Sequence, residues 1–255
     1  MSEILITADT LPLGYHKALI ALKNKGDIVD CADWNTTCKD VSMTIEVLHP
    51  LEEPRISKCF IGGPGELQQY VMEMLDGILD FEVEKGNWVY TYHDRMVRYP
   101  YGGKVYDQIQ FVIDDLKRNP SSRRAVVLVR DGSDIGSDDP ACLQHIQFFV
   151  RNGKLDCKVL FRSNDACKAT FMNAFALIMI QKRVADALGV DMGTYTHRAS
   201  SFHCYEKDFP LLDGYVKRIE EDEENCLIDY EDEWQDLMED EIPEILKKVE
   251  ELRNH

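Results

Sequence analysis

No stretch of this 255-residue sequence approaches the ~20 consecutive apolar residues that cross a bilayer. Its start, MSEILITADT, lacks the basic opening and the apolar core of an export signal, so a cytoplasmic chain with no membrane partner is expected. Neither CxxC nor HxE occurs, which sets aside a zinc deaminase and leaves no metal expected. A glycine-rich loop of the kind that cradles a triphosphate is also missing. Basic residues are few: 29 Lys and Arg face 46 Asp and Glu, and a formal charge of −17 argues against wrapping DNA or RNA. No repeat, low-complexity segment or linker divides the chain, and 44% hydrophobic content can fill the core of one domain.

What is present is a series of helix and strand signals. Thr10 to Lys25 repeats apolar residues at helical spacing, and Gly26 stops it. VSMTIEVLHP reads as a strand ended by Pro50, and Gly62-Gly63-Pro64-Gly65 is a turn that launches a helix through ELQQYVMEMLDGI. Asp107 to Arg118 is an amphipathic helix closed by Asn119-Pro120. AVVLVR is a strand, and LQHIQFFV and KLDCKVLFRS flank Asn152-Gly153 as a hairpin. Thr170 to Leu188 is a helix apolar on most sides and hence buried, and TYTHRASSFHCY is a further strand. Mixed α and β elements around one sheet follow. Much of the acidic charge lies after position 218, so 219–255 is expected as an acidic helical extension of the domain formed by 1–218.

Eight cysteines are spread along the chain without paired spacing, and reduced, mostly buried thiols are expected. One of them sits in unusual company. Between Ser121 and Tyr205, polar groups stand at the ends of apolar elements: Arg123-Arg124, Cys142, Gln147, Arg162-Ser163-Asn164-Asp165, Asn173, His203 and Tyr205. Guanidinium forks suit a phosphate and an amide can read a base edge, so a nucleoside monophosphate fits this set.

The order of these motifs resembles the thymidylate synthase family, which includes the pyrimidine nucleotide hydroxymethylases. The resemblance rests on Ser122-Arg123-Arg124, Pro140-Ala141-Cys142 with Gln147-Phe148, Arg162-Ser163-Asn164-Asp165, Asn173, and Ser201-Phe202-His203-Cys204-Tyr205; Gly65-Glu66-Leu67 with Tyr70 is a weaker match. It implies an α/β (α+β) fold, a single domain with a mixed, mostly antiparallel sheet flanked by helices. It also implies one-carbon transfer from 5,10-methylene-tetrahydrofolate to carbon 5 of a pyrimidine nucleoside 5′-monophosphate, with methylation of dUMP favoured and hydroxymethylation of dUMP, dCMP or CMP as the alternative.

In the roles so implied, Cys142 attacks carbon 6 as a thiolate held by Arg162. Glu66 organises water and relays protons, and Tyr92 completes the catalytic set. Gln147 belongs to the substrate contacts, Arg162 and Ser163 hold the phosphate, and Arg123 and Arg124 reach it from the other subunit of a homodimer. Asn173 pairs with the base, His203 and Tyr205 hold the sugar, Asn164 accompanies them, and Asp165 contacts the pterin.

Three departures bear on the product. The tryptophan-rich segment of ordinary thymidylate synthases is missing between Glu66 and Tyr92, leaving Trp88; the segment between Arg124 and Cys142 lacks the tryptophan usual after the arginine pair; and the chain ends in an acidic helix instead of a short apolar tail. Closure against water decides between a methyl and a hydroxymethyl product. Two readings from other classes stay open: a non-catalytic nucleotide binder, and a thiol hydrolase pairing Cys142 with His203 or His145.

Overall fold

Thr10 holds an extended backbone before Pro12 enters the first turn of α1 (Leu11–Lys25), and Gly26 ends the helix with its N–H on the Leu22 carbonyl. Tyr15, Ala18, Leu19 and Leu22 recur at helical spacing and are all buried. The computed structural model describes residues 2–254. Two strands unread in the sequence flank this helix: β1 (Glu3–Ala8) and β2 (Asp27–Cys31). Both pair with β3 (Thr36–Val47), β2 antiparallel along its first half and β1 parallel along its second. In β1 the middle residue Leu5 is 67% exposed while Ile4 and Ile6 are half-buried, so apolar residues on both faces mask the alternation that marks a strand.

The short β4 (Ile56–Ser57) leads to α2 (Pro64–Asp76), the single-turn α3 (Phe81–Glu84) and α4 (Tyr92–Val97). A small ribbon, β5 (Tyr99–Tyr101) with β6 (Lys104–Tyr106), precedes α5 (Gln108–Arg118), which Asp107 caps. β7 (Val126–Leu128), β8 (Leu143–Arg151) and β9 (Lys154–Phe161) follow. Asn152 and Gly153 join β8 to β9 with φ of 52° and 76°, the left-handed pair that a tight hairpin turn demands. After β10 (Asn164–Asp165) comes α6 (Thr170–Leu188), stopped as expected at Gly189, and then β11 (Asp191–Tyr205).

The main sheet runs β1-β3-β11-β9-β8-β7, with β2 also on β3 and β10 on the end of β11. It is mixed: β1–β3, β9–β11 and β10–β11 are parallel, and the other four pairings are antiparallel. One face is packed. Met43, Ile45, Phe148, Cys157, Val159, Phe161, Tyr195 and Ala199 are buried there beneath α1 and α6. The opposite face carries Leu5, Thr44, Glu46, Leu160, Lys158, Thr196 and Arg198 and has no helix over it among the described residues.

The C-terminal region is helical. α7 (Phe209–Asp222) packs on α1, and β12 (Leu227–Ile228) pairs with β4. α8 (Gln235–Asn254) packs on α2, where Ile245 and Val249 join Met72, Leu79 and Phe81 in a second buried cluster. Among the described residues no helix is long and apolar enough to cross a membrane.

Candidate active site

Cys142 stands one residue before β8, and its main chain is held from two directions. Its carbonyl accepts from the Arg162 N–H at 2.8 Å and from the Gln144 side chain at 3.3 Å. Arg162 follows β9 and turns its guanidinium onto the same segment, donating from Nη2 to the Pro140 carbonyl at 2.7 Å and from Nε to the Ala141 carbonyl at 3.3 Å. The thiol is half-buried. Arg162 favours its ionised form and Asp139 opposes it, but burial acts most strongly, and the pKa rises above its ordinary 9.0. Burial therefore outweighs the guanidinium that the sequence reading expected to hold a thiolate.

Four phenols lie near Cys142, and their pKa values are raised by burial first and by an ionised Cys142 in lesser part: Tyr70, Tyr90, Tyr92 and Tyr205. Tyr92 opens α4, its ring 5.8 Å from that of Tyr90 and edge-on to Phe161 at 6.5 Å. Tyr70, Tyr90 and Tyr92, with Glu73 and Trp88, line a cavity of about 170 Å³. Tyr70, in the second turn of α2, donates its hydroxyl to Oδ1 of Asn173, which is buried in the first turn of α6. Two helices remote in sequence thus bring a phenol and an amide to the thiol.

β11 reaches Arg162 where its register shifts between Ala199 and Phe202. The Ser201 N–H donates to the Arg162 carbonyl at 3.2 Å, and its hydroxyl donates to Asp40 at 3.0 Å. His203 is buried, with Nδ1 3.4 Å from the hydroxyls of both Ser163 and Ser201. Its ring meets Tyr205 edge-on at 4.8 Å, and Tyr205 lines a second cavity, about 240 Å³, with Trp34, Thr36 and Lys207.

The thymidylate synthase family model matches residues 65–246, which span the thiol, both arginine motifs, Asn173 and His203. The chain belongs to the thymidylate synthase family. It is 32% identical to a provisionally named thymidylate synthase of Methanocaldococcus jannaschii, over 79% of this chain and 90% of that one. Over 46% of this chain and 42% of the relative it is 32% identical to a thymidylate synthase of Bacillus licheniformis. In fold it is similar to thermostable thymidylate synthase A from Bacillus subtilis, with a TM-score of 0.65 and 17% identity, covering 82% of this chain and 84% of that one.

Within this member of the thymidylate synthase family, the expected residues divide. Tyr92 lines the first cavity and Tyr205 the second; Asn173 is bonded to Tyr70 of the first, His203 lies against Tyr205 of the second and within reach of Ser163, and Arg162 is bonded to the segment that carries Cys142. Asn164 is engaged within the protein: its Oδ1 accepts from His197 Nε2 and from the Thr170 hydroxyl, both at 2.9 Å, which fixes the turn that presents Asn173. Asp165 Oδ1 accepts the N–H groups of Cys167 and Lys168 at 3.0 and 2.9 Å. Glu66 is not brought to the thiol. It is exposed at the start of α2, where its carboxylate accepts the Gly63 N–H at 2.8 Å and so caps the first turn, and that bond lowers its pKa.

Glu73, two turns further along α2, lines the aromatic cavity together with Asp80, whose carboxylate is held by Thr91 and His93. Burial raises the pKa of Glu73, and Gln69 is its hydrogen-bond partner, at 2.8 Å. Spacing along the helix could not reveal which turn lines the cavity. Gln144 and Asp40 were unread; a buried acid inside an apolar strand was the available signal for Asp40. Arg123 and Arg124 are exposed beside β7 and form no ion pair among the described residues. Gln147 donates to the Arg123 carbonyl at 3.1 Å, so it supports that segment and not the thiol. No histidine hydrogen-bonds the Cys142 sulfur among the described residues, which leaves a Cys-His hydrolase without its pair.

Proposed function

We propose that this chain moves a one-carbon unit from methylene-tetrahydrofolate to carbon 5 of a pyrimidine nucleoside monophosphate, and that the reaction is methylation of dUMP. The observation that carries this reading is the meeting of Cys142 with Asn173 through Tyr70: a nucleophile beside an amide able to pair with a base. Cys142 bonds to carbon 6 of the ring, which makes carbon 5 nucleophilic. The folate supplies the carbon and, for methylation, the hydride. A flat pterin suits the aromatic walls formed by Trp88, Tyr90 and Tyr92. Glu73 takes the proton-handling role, since its raised pKa suits an acid that both gives and takes a proton.

Arg162 and Ser163 receive the phosphate, and His203 and Tyr205 the sugar. Arg123 and Arg124 serve the site of a partner subunit in a homodimer joined through the uncovered sheet face, whose leucines and mixed charges suit a second copy. The enzyme works in the cytoplasm. One observation favours hydroxymethylation as the second reading: the chain's last helix lies on α2, where its apolar residues are occupied by Met72, Leu79 and Phe81.

The test combines purified protein and methylene-tetrahydrofolate with dUMP, dCMP, UMP and CMP separately, and the products are weighed. Methylated dUMP with dihydrofolate is expected, while a hydroxymethyl product with tetrahydrofolate would establish the second reading. Cys142→Ala should abolish turnover and the covalent adduct with a 5-fluorinated nucleotide. Full activity in that variant would exclude the mechanism.

A further inference from the structure

We propose that Tyr70 decides which pyrimidine base the site accepts, by holding the Asn173 amide in one of its two orientations; this rests on the one-carbon transfer proposed above. An asparagine amide presents an acceptor on one side and donors on the other, and half a turn about its last bond exchanges them. Uracil offers a donor at N3 beside an acceptor at O4. Cytosine offers an acceptor at N3 beside a donor at N4. A freely turning amide can therefore match either edge, and discrimination requires something that stops the turn.

Tyr70 is placed to stop it. Its hydroxyl donates to Oδ1 of Asn173, and no other hydrogen bond is made by that hydroxyl among the described residues. Burial, with Glu73, Tyr90 and Cys142 close by, favours the protonated phenol, so it remains a donor at neutral pH. If the amide turned, its NH2 would donate to the phenol oxygen and the phenol proton would lose its acceptor, so the turned state keeps one contact but strands a half-buried donor.

The two partners also have little freedom of their own. Asn173 is buried in the first turn of α6 with its N–H on the Ala169 carbonyl at 2.9 Å, and Tyr70 lies in the second turn of α2, which packs on α6. The amide nitrogen is left with no protein hydrogen bond among the described residues and Oδ1 keeps a second lone pair, so the nitrogen can donate to uracil O4 while Oδ1 accepts from N3–H. Tyr70 acts through Asn173 and is a positioning residue.

The experiment compares kcat/KM for dUMP and dCMP in the wild-type enzyme and in Tyr70→Phe, which keeps the ring and removes the hydroxyl. Wild-type preference for dUMP is expected to shrink about tenfold, the scale of one neutral hydrogen bond lost from a recognition site. Damage that is merely structural lowers both substrates alike and leaves the ratio where it was, so an unchanged ratio overturns the proposal. A thermal melt checks folding, and Tyr70→Met supplies the same loss of the hydroxyl if the phenylalanine variant is unfolded. If the wild-type enzyme transfers carbon to none of the nucleotides, the proposed function and this inference fall together; if it discriminates and the variants keep its ratio, this inference falls alone.

Discussion

The thiol of Cys142 rests protonated in the ligand-free site, because burial outweighs the pull of Arg162. Alkylation by iodoacetamide, followed by mass spectrometry, should therefore be slow at neutral pH and climb only as pH passes the ordinary thiol value of 9.0. A plateau below that value would contradict the burial argument. Arg162→Ala should slow alkylation further, since it removes the cation that favours the thiolate and the two bonds that clamp Pro140 and Ala141. An unchanged rate in that variant would mean that the guanidinium does not act on the sulfur.

At the level of elements, β11 carries a histidine whose protonation the fold resists. His197 is wholly buried between the Tyr195 hydroxyl and Asn164, at 3.0 and 2.9 Å, and burial lowers its pKa from 6.5 to about 3. An unfolded chain takes up a proton there as pH falls through 6.5 and the folded chain does not, so stability is lost on acidification. The slope is at most about 1.4 kcal/mol per pH unit between those two values. Urea unfolding of wild type and His197→Gln at about pH 7 and about pH 5 should show a smaller acid loss in the variant; equal losses would assign the acid sensitivity elsewhere.

Elements with one dominant local signal were legible in the sequence. α6 begins at Thr170 and ends at Leu188 as its apolar breadth and Gly189 indicate, and Asn152-Gly153 makes the expected hairpin. Elements that depend on distant partners were not: β1 gains its place from pairing in parallel with β3, and β2 from the first half of the same strand. The site divides in the same way. Motif order brought Cys142, Arg162, Asn173 and His203 into one account, whereas the choice between Glu66 and Glu73 depends on how α2 is turned against α6. The capping bond of Glu66 to Gly63, three residues away, is local, but the cavity position of Glu73 is a tertiary fact.

For the whole molecule, donation of Arg123 and Arg124 across a dimer has a direct test. Cys142→Ala and the double substitution Arg123→Ala, Arg124→Ala should each be inactive alone. Mixed under conditions that exchange subunits, they should recover about a quarter of wild-type activity, because half the dimers then hold one intact site of two. No recovery from folded, exchanging subunits would confine both arginines to their own protomer. The C-terminal region is expected to be integral to the domain: a chain ending after residue 218 loses Ile245 and Val249 from the cluster with Met72, Leu79 and Phe81. It should melt well below the full chain, and an unchanged melting temperature would make α8 dispensable.

A sheet with helices over only one of its faces also has a consequence for abundance. If the bare face finds its cover in a second copy, catalytic output varies with the number of copies in a given volume and is no fixed property of one molecule. Serial dilution should then reduce turnover per chain, with a midpoint matching the subunit dissociation constant from sedimentation. A cell that let expression fall below that midpoint would lose more than proportionate activity, so supply of product would shut off steeply without any inhibitor.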